Sequence, residues 1–234
     1  MDYILSALKD AINLILSLDP EVSNVVGTSL KLSLTSTFLA ALFGIPLGII
    51  VSKIDFKGKY FLNTVLNTLL SLPTVVLGLF VYSIISRRGV LGEWGLLFTI
   101  RGIIIGQVLL IIPIVVALVR NAIHDIDEKM YKTAMSLGAT DSQKFRLLIS
   151  EARYGIIGAL ITSFGRVIGE VGVSMMIGGN IKGFTRTITT AIAMETNKGR
   201  FGFALALGII LLSISFIINF ILYFFQSGES KWKI

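Results

Sequence analysis

DEKMYKTAMSLGATDSQKFRLLISEARY, from Asp127 to Tyr154, is the longest polar interval in an otherwise strongly apolar chain. Its middle reads as two short helices joined at Gly138 and Ala139. Gly138 can take a positive φ, which ends a helix and turns the chain. Ala134 and Gly138 are small residues four apart, so one helical face can approach another surface closely. A small, turned, charge-rimmed element between apolar segments suits docking to a soluble partner. An ordinary solvated loop fits the same residues.

The flanks of this interval decide the class. The 234 residues are 54% hydrophobic, with a mean hydropathy of +0.83. A soluble core of this size does not need so much apolar surface, so the chain reads as an all-α integral membrane protein, one domain over 1–234. There is no cysteine, which excludes disulfides and thiolate metal sites. The single histidine, His124, lies just past an apolar segment and cannot build a histidine-rich metal site. The net charge of +7 fits lipid headgroups or an anionic solute. Nucleic acid is a poor partner, because the basic residues are scattered over both ends of several spans.

Working outward in chain order, residues 3–18 have helical spacing at Ile4, Leu8, Ala11 and Ile15, and are too short for a span. Asp19-Pro20 stop them, and the segment reads as an interfacial helix. It lacks the basic start and small-residue cleavage site of a signal peptide. Five spans follow, at 28–51, 61–85, 102–119, 154–177 and 203–225, with the polar interval as a loop over 127–153. Pro46, between Gly44 and Gly48, is expected to kink the first span, and Pro73 to break the second near its middle. Five crossings put the termini on opposite sides. Lys53, Lys57, Lys59, Lys231 and Lys233 favour a cytoplasmic polar loop and C-terminus and an external N-terminus, although the positive-inside bias is weak.

Two sets of residues carry possible chemistry. Arg166 and Glu170 are four apart in the fourth span, where each ionised group costs at least about 2.5–3.5 kcal/mol unless paired or hydrated. They can pair with each other, or Arg166 can line a path for anions. Asn180, Lys182, Thr185, Arg186 and Thr187 follow Gly178-Gly179; their backbone N–H groups, hydroxyls and cations could bind an oxyanion, or form only a polar connection. There is no Walker A ending and no nucleophile–base pair, so the chain is not an enzyme and binds no cofactor of its own.

The polar interval and the span after it resemble the permease subunit of ABC importers. Those permeases carry a cytoplasmic coupling loop, commonly EAAxxxG, and often an LP-like pair farther on. Here Ala134 and Gly138 match; Lys132 replaces the usual acid, and Ser150-Glu151 stand where LP is common. GRVIGEVGVSMMIGGNIKGFTRTITTAI, Gly165 to Ile192, is similar to a segment of molybdate and tungstate permeases. SEARYG, AMETNKG and SLPTVVLGLFVY are similar to the tungstate branch, and the likeness covers most of Leu30 to Phe225.

The resemblance implies an ABC importer permease fold and a homodimer around a central path. Two separate ATPase subunits, using ATP and Mg, would dock on the coupling loops, and an external binding protein would deliver tungstate, molybdate or sulfate. It implies coupling through Tyr131, Ala134, Leu137, Gly138, Ala139 and Asp141, with Arg166, Glu170, Asn180, Lys182, Thr185, Arg186 and Thr187 as path or gate residues. A stand-alone channel or secondary transporter would also use Arg166 and broken helices, but would leave the polar interval without a task. An intramembrane enzyme lacks a catalytic pair.

Overall fold

The structure is a computed structural model that describes residues 2–54, 57–124, 126 and 128–230. The described residues form helices and no strand: α1 (Asp2–Leu16), α2 (Pro20–Lys53), α3 (Lys59–Leu70), α4 (Thr74–Ile85), a single 3-10 turn (Gly92–Trp94), α5 (Ile100–His124), α6 (Glu128–Ser136), α7 (Asp141–Ile168), α8 (Gly172–Gly178), α9 (Ile188–Asn197) and α10 (Phe201–Ser230). Four helices are long and apolar enough to cross a membrane, or five elements if the bent pair α3–α4 is one span. The tail carrying Lys231 and Lys233 lies outside the described residues.

Asp19-Pro20 start a helix as well as ending one. The Asp19 carboxylate accepts from the backbone N–H groups of Glu21 and Val22 at 2.9 and 3.1 Å, and Pro20 sits in the first turn, where its missing N–H removes no bond. The first span therefore begins earlier than expected. At 34 residues α2 is about 51 Å long, well beyond a hydrocarbon core of about 30 Å. The helix runs unbroken through Pro46.

α5 is the axis of the bundle. Between lipid-soluble helices apolar burial supplies little drive, so close backbone approach has to. Gly44 and Gly48 provide it: a Cβ at either position would lie 2.8 Å from the side chain of Val115 or Val119 on α5. Leu110, Ile111, Val115 and Val119 then form one core with Ala40 of α2 and Ala152, Ile156 and Ala159 of α7. The small-xxx-small spacing of Gly44 and Gly48 is legible in the sequence; that α5 is the helix it admits is not.

Two expected spans are divided. Pro73 does more than loosen the second: α3 and α4 meet at 101° across Ser71, Leu72 and Pro73. The fourth span, expected over 154–177, breaks at Gly169–Val171 between α7 and α8. The two breaks touch, since a Cβ on Gly172 would lie 2.7 Å from the Thr74 hydroxyl. α8 then packs Val173 and Ile177 against Val81, Ile85 and Ile103. α1 lies along the start of α10 with Ala7 and Ala11 buried and Leu5, Leu8 and Ile12 exposed. Gly202 admits Asp10 at close range there.

Candidate functional site

The polar interval folds as one helix, a sharp turn and the first turns of a second, much longer helix. α6 ends in a Schellman motif: Gly138 N–H donates to the Met135 carbonyl and Ala139 N–H to that of Ala134, both at 3.0 Å, with Gly138 at φ +77°. Ala134 and Gly138 are thus parts of one closed turn. Thr140 caps α7 with a capping box, its N–H donating to the Gln143 side chain at 2.8 Å. The expected second short helix is therefore the start of α7, which runs through to Ile168. Asp141 pairs with Lys144 at 2.6 Å and adds negative charge where the α7 dipole favours it.

The turn is apolar where it is most exposed. Met135 is 54%, Leu137 81% and Phe145 47% exposed, and a Cβ on Gly138 would meet nothing within 4 Å. The Lys53 ammonium stands 5.1 Å from the Phe145 ring, tying this end of α7 to the end of α2. Tyr131 belongs to α6, but its side chain lies outside the described residues.

Arg166 and Glu170 do not share a helical face, because α7 ends between them. Glu170 is buried in the break, where it accepts from Val173 N–H at 3.1 Å and so caps α8. Its carbonyl accepts from the Thr189 hydroxyl at 2.7 Å. The Arg166 guanidinium reaches Glu170 only at 3.8 Å and stays 43% exposed, against 2% for the Glu170 side chain. The pairing seen from the sequence exists, but it is loose and one-sided.

The segment between α8 and α9 is cross-linked to its surroundings. Asn180 takes φ +52° and donates to the Thr190 carbonyl. The Thr185 hydroxyl donates to the Gly178 carbonyl at 2.6 Å and accepts from Ile181 N–H. Thr187 caps α9. Lys182 and Arg186 both reach Glu21 on α2, at 2.7 and 3.3 Å, and Ile188 N–H donates to Ser29 at 2.7 Å. These groups mostly serve the chain itself; the Asn180 Oδ1 and Arg186 Nε are buried without a partner.

Behind Arg186 lies Glu195, fully buried, 3.6 Å from Arg186, 3.3 Å from Lys198 and hydrogen-bonded by Arg200. Burial pushes its carboxyl up, but the hydrogen bonds from Arg200 and Lys198 outweigh that and hold it below the ordinary carboxylate range. Its stabilising charge is present above the usual carboxylate value, about 4.3, and is lost as pH falls through the lowered one. Glu195→Gln leaves Arg186 with Glu21 as its carboxylate partner and takes the shared charge from Lys198 and Arg200. It should therefore cost about 1–3 kcal/mol, less than the roughly 3–5 kcal/mol of a fully broken buried pair. Thermal unfolding in detergent should show that difference at pH 7 and its shrinkage in acid; equal stability at pH 7 would contradict it. Glu21 and Glu195 were not anticipated as partners, nor were Gln107 and Ser174, to which Ser36 of the serine- and threonine-rich start of α2 is linked in a buried string. Only Glu195 left a local signal, Lys198 three residues on.

The Gly138 turn and the Arg166–Glu170 break lie at opposite ends of α7, which is about 42 Å long for its 28 residues. Residues 44–231 match the family described as the binding-protein-dependent transport system inner membrane component. The chain is 44% identical over 221 residues to the tungstate uptake system permease protein TupB of Campylobacter jejuni, covering 94% of this chain and 92% of the relative. It is 40% identical to the TupB of Peptoclostridium acidaminophilum, covering 97% and 99%. The molybdenum transport system permease protein ModB of Escherichia coli K12 is 33% identical, covering 86% and 93%. Among solved structures, a chain of the inward-facing MetNI methionine ABC transporter superposes with a TM-score of 0.69 at 18% identity, covering 89% of this chain and 98% of that one. A chain of a bacterial alginate ABC transporter bound to its periplasmic protein gives 0.69 at 19%, covering 95% and 86%. The fold is that of ABC importer permeases, and the chain belongs to the family of binding-protein-dependent transport system inner membrane components.

Proposed function

We propose that this chain is the permease subunit of an ATP-dependent importer for tungstate. The observation that carries the reading is its near full-length likeness to two tungstate permeases at 44% and 40% identity. Two copies form the membrane path. An ABC ATPase subunit, with its own ATP and Mg, seats on the exposed turn of each copy through Tyr131, Ala134, Leu137, Gly138, Ala139 and Asp141. An external binding protein delivers the oxyanion. Arg166 is the leading path residue. Glu170, Asn180, Lys182, Thr185, Arg186 and Thr187 shape and stiffen the outward end of the path. Molybdate is the second substrate reading, favoured by the 33% identity to a molybdenum permease.

The protein sits in the cell membrane with its N-terminus outside and C-terminus in the cytoplasm, provided that α3–α4 crosses as one bent span. The chain has no cysteine, so single cysteines at Ser6 and Ser227 report without background. An impermeant maleimide applied to sealed cells should label Ser6→Cys and spare Ser227→Cys until the membrane is opened. Labelling of both from outside would reduce the crossings to an even number. Co-expression with the partner ATPase should give one complex in detergent, and separate elution of the two would contradict the docking.

A further inference from the structure

α1 has three faces. Leu5, Leu8, Ile12 and Leu16 form an exposed apolar stripe, at the spacing of a helix lying in a membrane interface. Ala7, Ala11 and Leu14 turn toward the bundle, with the two alanines buried along the start of α10. Between these faces runs a polar stripe, Ser6, Asp10, Asn13 and Ser17. That stripe forms one wall of a cavity of about 630 Å³, and Arg200, Phe201 and Phe203 form the other. The cavity stands where α10 enters the membrane, since no charged residue follows Arg200 until Glu229. Its two walls carry opposite charge. Asp10 has no ion pair among the described residues. The Arg200 guanidinium is half exposed, bonds Glu195 through Nε, and lies 5.7 Å from the Phe203 ring. At this corner Glu21 and Glu195 face four cations, Lys182, Arg186, Lys198 and Arg200, so positive charge is left over on the Arg200 wall.

We propose that this groove holds the headgroup of a zwitterionic phospholipid with a primary ammonium, the chemistry of phosphatidylethanolamine. The phosphate accepts from the Arg200 Nη groups, which the bond to Glu195 leaves available. The ammonium donates to the Asp10 carboxylate and the Asn13 amide oxygen on the facing wall. The acyl chains follow Phe201 and Leu205, both exposed and one helical turn apart on α10, and the apolar stripe of α1. The cavity is of the size of ordinary ligand pockets. Charge selects the occupant. A lipid that is only anionic brings no cation to Asp10, and a choline headgroup has no N–H to donate. The bound lipid fills the gap between α1 and α10 and fixes the helix against the bundle.

The test is competition among lipids. The full-length chain is placed in vesicles of equal phosphatidylethanolamine, phosphatidylcholine and phosphatidylglycerol and extracted into mild detergent. Mass spectrometry of the lipid left bound should show phosphatidylethanolamine favoured about fivefold over either of the others. Asp10→Asn should bring the ethanolamine and choline lipids to parity, and Asp10→Glu should keep the preference. Asp10→Lys should turn the preference to phosphatidylglycerol, an inversion that a folding defect does not produce. Excess glycerophosphoethanolamine, the same headgroup without acyl chains, should displace none of the lipid. The inference is overturned if the wild-type chain retains the three lipids equally, or if Asp10→Asn and Asp10→Lys leave the ratios unchanged. Displacement by glycerophosphoethanolamine would make the groove a site for a soluble phosphate ester and overturn it too. With no native cysteine in the background, Asn13→Cys reports the other occupants. Its protection from maleimide by an added binding protein, but not by lipid, would give the groove to that protein. Disulfide-linked dimers through Asn13→Cys would give it to a second copy, and either result sinks the lipid assignment.

Discussion

Gly138→Asp abolishes coupled transport while leaving the permease folded in the membrane. Gly138 holds φ +77° in the Schellman turn. An L-residue there is strained by about 1–2 kcal/mol, and aspartate is among the side chains that tolerate the left-handed region best. Because a Cβ at this position meets nothing within the chain, the substitution barely disturbs the subunit itself. What it would disturb is the proposed ATPase contact beside the exposed Met135 and Leu137. A charge introduced into a close contact that loses about 3 kcal/mol weakens association more than a hundredfold. Co-elution with the ATPase and uptake-coupled hydrolysis should both fall to background while expression stays normal. Unchanged coupling would place the ATPase elsewhere.

Gly48→Leu prevents stable folding. A Cβ alone would stand 2.8 Å from the Val119 Cβ and 3.0 Å from the Val116 carbonyl oxygen. The first of these is a side chain rooted on α5, the second its backbone, and neither can swing aside. Overpacking costs about 1–3 kcal/mol in adaptable cores, occasionally more. Here the helices must separate along the seam that Gly44 and Gly48 hold together, so we expect at least the upper end of that range and loss of most detergent-stable protein. Gly27→Leu lies on the same helix with open space around it and should be tolerated. Gly48→Ala should be intermediate and partly rescued by Val119→Ala, because the two sites share one contact. The measurement is the monodisperse fraction and Tm after extraction; a Gly48→Leu protein as stable as wild type would refute the seam.

The sequence was legible where a local rule decides the structure. Gly138 in a polar interval could be read as a helix stop, and Pro73 as a break. The spans followed from runs of apolar residues. The outcome departed from the reading where neighbours decide. Helical periodicity carried through Gly169 placed Glu170 on the Arg166 face, yet the chain leaves the helix there and Glu170 turns inward to cap α8. The segment after Gly179 could be read as an anion cradle or as a polar connection, and the sequence could not decide because its partners are distant: Glu21 is 165 residues from Arg186 and Ser29 is 159 from Ile188. No spacing rule reaches so far. The sharp angle between α3 and α4 likewise depends on where α8 packs.

Transport itself tests the central claim most directly. Vesicles reconstituted with the permease, its ATPase facing the lumen and the binding protein outside should accumulate tungstate only when ATP and Mg are enclosed. Omission of any one component should return uptake to the leak, with the metal content read by mass spectrometry. Tungstate entry at the same rate into vesicles holding this chain alone, without ATPase or ATP, would contradict the account and make the protein a channel.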